Sequence, residues 1–287
     1  MTASSPWPLL LVGASAIGLL ALAATATRGP TGKARSKTMD WISRVIARVS
    51  HHEGGYDSLN RNTDGAGLSW GILQWTQHSG NLGKLLAAMR AADAPAFERI
   101  FGPAWPELLR ATLAASLAPV AGAVLWEPPW TDRFREAGRH YPFQEVQRRV
   151  ARQGEHFRAA VEAARVLGVA TERSMALLFD TSVHQGPGAV VHVAHQVRDR
   201  FTREGRASVP YAELLTAYAQ RAADRCRRFT APTKPPSDDR LHWEKVGAEW
   251  HLFAETIDLY AAIHHRRMGI VRDPDLADDP IALEGSP

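Results

Sequence analysis

The feature that most constrains this fold is an apolar stripe that runs straight into a pair of glycines. Ile42, Ile46, Val49 and Glu53 are spaced four, three and four apart, so they share one face of a helix. Gly54-Gly55 ends that helix. From Tyr56 to Gly71 the chain is rich in Asn, Asp, Gly and Ser, which suits turns and a short hairpin. Helical periodicity resumes at Leu82, Leu85, Leu86 and Met89, and the Pro- and Trp-bearing stretch 94–142 reads as short helices joined by loops. Stronger helices are expected at about 143–168, 172–185, 189–203, 210–229 and 242–268, with a Pro/Lys/Asp loop at 230–240. No internal repeat is present. The expected fold is mainly α, with one small β element near its start.

Composition sets further bounds. Apolar residues make up 45%, enough for a sizeable core. The single cysteine, Cys226, excludes an intramolecular disulfide, so the core holds the fold without covalent staples. The twelve histidines are scattered without metal-ligand spacing, and no cofactor or metal is expected. The net charge of +4 comes largely from arginines on helical segments, which read as solvated faces or as attraction to an anionic polymer such as a cell wall. No helix-turn-helix, zinc or RNA-binding signature points to nucleic acid.

The first residues differ from the rest. Leu9 to Ala26 carries no charge and is just long enough to cross a bilayer. A cleaved signal is the rival reading, since Ala24-Thr25-Ala26 looks like a small-residue cleavage site. No Lys or Arg precedes the run, whereas Arg28, Lys33, Arg35 and Lys37 follow it, a bias that by itself holds the body of the chain in the cytoplasm. The expected organisation is a membrane anchor or signal at 1–26, a basic linker at 27–39, a globular domain at 40–271 and a disordered acidic tail at 272–287.

The densest chemical signal follows the first helix. Glu53 ends the apolar stripe, so its carboxyl is partly desolvated and near the negative end of the helix dipole, and both effects raise its pKa. A carboxylic acid protonated near neutrality can protonate a glycosidic oxygen. Taken alone, a helix-terminal Glu more often turns to solvent. The next segment, Asp64-Gly65-Ala66-Gly67-Leu68-Ser69-Trp70-Gly71-Ile72-Leu73-Gln74-Trp75, supplies what such an acid needs. Asp64 is a second carboxylate across a loop, Ser69 can orient a water, Gln74 can hydrogen-bond a sugar, and Trp70 and Trp75 offer flat faces for pyranose rings. Each has a plainer reading too, since Asp before Gly is usually a turn residue and Trp is more often core.

This segment resembles the lysozyme-like superfamily, which includes goose-type lysozymes, chitosanases and phage N-acetylmuramidases. Glu53-Gly54-Gly55-Tyr56 resembles the Glu-Gly-Gly-Tyr start of a muramidase family, and Phe179-Asp180-Thr181-Ser182-Val183-His184-Gln185-Gly186 its Phe-Asp-x-x-Val-Asn-x-Gly helix, with His184 in place of Asn. Asp64-Gly65-Ala66-Gly67-Leu68-Ser69-Trp70-Gly71 resembles the chitosanase Asp-Gly-x-Gly-x-Thr-x-Gly. The resemblance implies two helical lobes with a small β-hairpin lining the cleft between them. It implies Glu53 as acid, Asp64 as base and Ser69 as the water-orienting hydroxyl, with Tyr56, Trp70, Gln74, Trp75, Asp180 and His184 on the substrate. The expected reaction is inverting hydrolysis of a β-1,4-linked amino-sugar glycan, peptidoglycan before chitosan, at the membrane and on the side of the periplasm or cell wall. A lytic transglycosylase and an inactive, membrane-tethered glycan binder are the alternatives.

Overall fold

Helix α1 (Trp41–Glu53) begins where Asp40 accepts a hydrogen bond from the Ser43 amide at 2.7 Å. It buries Val45, Ile46 and Val49 and stops at Gly54, whose φ of 120° is open only to glycine. The structure, a computed structural model, describes residues 40–62, 65–224, 230–231, 241–246, 249–254 and 259–283. The Leu9–Ala26 run, the 27–39 linker, Asp64 and Cys226 lie outside the described residues, as does the side chain of Glu53.

After α1, strands β1 (Leu59–Arg61), β2 (Leu68–Trp70) and β3 (Trp75–Thr76) form an antiparallel sheet in that order. The expected hairpin thus has a third strand. Next come α2 (Asn81–Ala92), α3 (Ala94–Phe101), α4 (Trp105–Leu113) and α5 (Trp130–Arg139), which fill the stretch read as short helices. The helix expected at 143–168 is two, α6 (Tyr141–Gln153) and α7 (Glu155–Leu167), divided at Gly154. Then follow α8 (Glu172–Gln185), α9 (Pro187–Arg203) and α10 (Tyr211–Asp224).

Two separate apolar cores define two lobes. One gathers Leu68, Trp70, Leu82, Phe97, Phe101 and Phe134 from the sheet and α2 to α5. The other gathers Val45, Val49, Phe157, Phe179, Val193 and Tyr218 from α1 and α7 to α10. Helix α6 belongs to both, giving Phe143 and Val146 to the first and Ala151 to the second. Helix α8 is the axis of the larger lobe. Thr171 and Ser174 close a capping box at its start, and it is buried without interruption from Met175 to Ser182. Burial on all sides explains why its sequence is not amphipathic.

The C-terminal third departs from expectation. Instead of one helix at 242–268, strands β4 (Thr230–Ala231), β5 (Leu241–Val246) and β6 (Glu249–Ala254) form an antiparallel sheet of order β4-β6-β5, followed by α11 (Leu259–Val271). The alternation Leu241, Trp243 and Trp250, Leu252 is a strand period, and the register pairs Trp243 with Leu252 and Leu241 with Ala254. Residues 272–283, expected to be disordered, are docked. Arg173 donates to the carbonyls of Val271 (2.9 Å), Asp273 (2.6 Å) and Leu276 (2.8 Å) and to the Asp278 carboxylate (2.6 Å), and the Ile281 amide donates to Ala170 O at 2.8 Å. A segment that satisfies a guanidinium this fully is ordered despite its acidic, Pro-containing composition. Among the described residues, no helix is long and apolar enough to cross a membrane.

Candidate active site

The C-terminal end of α1, the sheet and α6 meet at one point. The buried Gln147 side chain of α6 accepts a hydrogen bond from the Ile72 amide at 3.1 Å and donates to the Tyr56 carbonyl at 3.0 Å. It thereby ties the loop after α1 to the turn after β2. That turn needs glycine at 71, where φ is 82° and an added Cβ would lie 2.5 Å from Gln147 Oε1. The Gly71 amide in turn donates to the Ser58 carbonyl at 3.0 Å, and Ser58 Oγ accepts from the Gly55 amide at 2.6 Å. Gln74 lies in the left-handed region at φ 51°, held there by its Nε2 donating to Gly71 O at 2.9 Å. A Cβ built on Gly54 would lie 3.9 Å from Gln74 Nε2, so the backbone next to Glu53 borders the Gln74 side chain.

Gln74 opens onto a cavity of about 550 Å³ between the lobes. Leu73, Trp75 and Thr76 line it from the sheet, Asn81 and Lys84 from α2, and Val150, Ala151 and Gly154 from the end of α6. Glu155, His156 and Arg158 face it from the start of α7, and Val183 and His184 from the end of α8. Among the described residues, no group of three or more His, Cys, Asp or Glu side chains could hold a metal ion.

The sequence-derived residues divide sharply. Gln74, Trp75 and His184 line this cavity. Trp75 is half-buried and packs against both cores, so one face is left to the cleft. Trp70 is a correction. It is fully buried, with its ring 5.1 Å from Phe134 in an edge-to-face contact, and offers no face to a sugar. Ser69 is also fully buried, at the middle of β2, so its hydroxyl is sealed from the water it was expected to orient. Asp180 is 1% exposed and ion-paired with Arg266, whose Nε lies 2.7 Å from Oδ1, and with Arg267 at 3.9 Å. It is sealed in the interior and is not among the residues lining the cavity. Tyr56 is not among the residues lining the cavity; its hydroxyl accepts from Arg148 at 2.5 Å.

Several residues here were missed from sequence. Gln147, Arg266, Arg267 and His156 carry no motif, and only the fold shows what each one meets. Burial pushes the Asp180 carboxyl up, but Arg266 and Arg267 outweigh it and hold the group below the usual carboxylate range. Burial pushes His184 down to about 3, and the cations Arg267 and Arg266 act in the same direction. Its Nδ1 is buried without a hydrogen-bond partner among the described residues. Burial likewise lowers His156, against the smaller pull of Glu155 and the Ser182 carbonyl.

No family model matches the sequence, and no curated protein is similar to it in sequence. Among solved structures, the fold is similar to a GH46 chitosanase from Gynuella sunshinyii, solved in complex with chitotetraose. That likeness has 18% identity and a TM-score of 0.50, and covers 80% of this chain and 84% of that chain. A native chitosanase from Bacillus subtilis MY002 is similar at 15% identity and a TM-score of 0.48, over 66% of this chain and 78% of that chain. The first likeness defines the fold class: a lysozyme-like fold of the chitosanase type.

The state of His184 has a measurable consequence. Its ring is neutral in the folded protein, while the unfolded chain takes up a proton below the ordinary histidine value of about 6.5. The contribution of His184 to stability is therefore full above about pH 6.5 and is lost as pH falls toward about 3, by up to about 1.4 kcal/mol per pH unit. His156 adds to this loss in the same direction. Urea titrations at pH 7, 5 and 4 should show His184→Asn losing less stability than wild type over that interval. Parallel pH dependences would contradict the assignment.

Proposed function

We propose that the chain is a glycoside hydrolase of amino-sugar glycans with Glu53 as its general acid. The observation that carries this reading is the convergence at the end of α1. The helix that ends at Glu53 is pinned by Gln147 and Gly71 against a turn whose next residues, Leu73, Gln74 and Trp75, line a cleft between two lobes. In this reading the acid at the end of that helix meets a polymer lying in the groove. In the inverting reaction, the Glu53 carboxyl gives its proton to the leaving glycosidic oxygen as the bond to the anomeric carbon breaks. A water adds to that carbon from the opposite face and loses its proton to a carboxylate base. Asp64 is the proposed base, and about 6.5–9.5 Å between the two carboxyl groups is the separation that mechanism requires.

Peptidoglycan is the substrate proposed first. The described charged side chains lining the cleft are Lys84, Arg158 and Glu155, to which the proposed Glu53 and Asp64 carboxyl groups add. Lys84 and Arg158 suit a glycan that carries carboxylates. Chitosan is the second reading, because the Gynuella sunshinyii chitosanase of similar fold was solved with chitotetraose.

Purified murein and fully deacetylated chitosan, digested separately and analysed by mass, distinguish these readings. Reducing muramic acid ends are expected from murein. Anhydro ends would replace hydrolysis with transglycosylation, glucosamine oligomers alone would make chitosan the substrate, and binding without cleavage would leave an inert glycan binder. Glu53→Gln should lose at least about a hundredfold in rate while staying folded. Near-wild-type turnover in that variant would sink the assignment.

We also propose that Leu9–Ala26 anchors the domain at a membrane, with a cleaved signal as the alternative. Residues 1–38 carry none of the core-periodic residues read from the sequence, so their removal should yield a folded protein that no longer partitions with membranes. Aggregation or unfolding of that truncation would instead place the segment in the globular core.

A further inference from the structure

Between α6 and α7 the chain breaks at Gly154, and the second residue of α7 is a histidine that the mechanism above does not use. His156 lines the cleft, and its ring is held from behind by α8: Nδ1 lies 2.9 Å from the Ser182 carbonyl oxygen and 3.2 Å from Ser182 Oγ. Ser182 is fully buried in the axis helix, so this anchor is rigid. A carbonyl oxygen has no hydrogen to give, which makes Nδ1 the donor and fixes the tautomer. A neutral imidazole with its hydrogen on Nδ1 carries a bare lone pair on Nε2, the ring's remaining polar atom. The charged and titratable groups that line the cleft with it are Glu155 and Arg158 on its own helix, Lys84 from α2, and His184 from α8. Burial of the ring favours the neutral form over the cation.

This gives the cleft an acceptor of a particular kind. Lys84 and Arg158 can only donate; Gln74 Oε1 and the Glu155 carboxylate also accept, and His156 Nε2 adds to them an uncharged acceptor held from behind by α8. An aligned ring nitrogen in a partly dried site accepts an N–H at little entropic cost. We propose that His156 is a specificity-determining residue of the cleft, whose Nε2 accepts a hydrogen bond from the acylamino N–H of a bound sugar. The ammonium group of an unacylated sugar is also a donor, which Lys84 and Arg158 repel and which Glu155 draws to its own carboxylate. The proposal rests on the glycan reading of the site and assigns one wall of it to the 2-acylamino substituent.

The test uses the full chain carrying Glu53→Gln, so that substrate survives, and the tetramer of N-acetylglucosamine as probe. With His156 intact, nitrogen-15 spectra of the histidine rings should show the free protein in the Nδ1–H form, and the Nε2 resonance should shift as the tetramer is added. In calorimetry, His156→Asn keeps a donor for the Ser182 carbonyl but has nothing at the Nε2 position, and should weaken binding about three- to tenfold, the worth of one hydrogen bond. His156→Gln places a carbonyl oxygen near the Nε2 position and should bind within about twofold of the parent. An Nε2 resonance unmoved at saturation, or a folded His156→Asn protein binding as tightly as the parent, overturns the proposal and leaves the glycan reading in place. If the parent protein binds neither the tetramer nor murein fragments, both fall together.

Discussion

The amide of Gln147 is the interaction on which the site depends. It is fully buried, and it joins two chain segments that follow different elements: the Tyr56 carbonyl after α1 and the Ile72 amide after β2. The Ile72 amide is buried and the Tyr56 carbonyl part-buried, so removing the Gln147 amide leaves one buried group unsatisfied, at about 1–3 kcal/mol. The sequence accommodates it with glycine at 71, since any side chain there would overlap Gln147 Oε1. Because α6 contributes to both cores, the same amide also fixes where the small lobe stands relative to the end of α1.

Around this staple, the interior of the larger lobe is electrostatically demanding. Asp180 lies on the axis helix among apolar residues and is compensated by Arg266 and Arg267 from α11. Such a buried ionic group is costly to assemble and more costly to break, because loss of one partner strands the other charge. The same two arginines, together with burial, keep His184 neutral at the wall of the cleft. The cleft is thus backed by a fixed arrangement of charge, with the imidazoles of His184 and His156 beside it as neutral groups. Lys84, Arg158 and Glu155 are the described charged side chains that line the cleft beside these two rings.

What the sequence revealed follows from which signals are local. The stripe ending at Glu53, the Gly54 stop and the boundaries of α8 were legible because periodicity and capping are written within a few residues. The two-lobed, mainly helical design with a small sheet followed from the resemblance, and the Gynuella likeness agrees with it. The sheet formed by β5 and β6 was misread as helix because apolar residues over 242–268 satisfy both periods, and only pairing in register decides between them. Trp70 and Trp75 are chemically identical, and burial alone separates the core ring from the one at the cleft. Asp180 was assigned to substrate because a motif records that a carboxylate is present and not what it pairs with. The docked tail was missed for a similar reason: its partner, Arg173, is about a hundred residues away.

The most direct test of the account is the rate of murein cleavage by Gln147→Leu, measured with the folded fraction at the same temperature. Leucine fills much of the same volume but satisfies neither the Ile72 amide nor the Tyr56 carbonyl. If the staple positions the acid, the folded variant should cleave at least about tenfold more slowly than wild type, since small displacements of a catalytic group are costly. A fully folded Gln147→Leu protein with the wild-type rate would contradict the claim that this contact builds the active site.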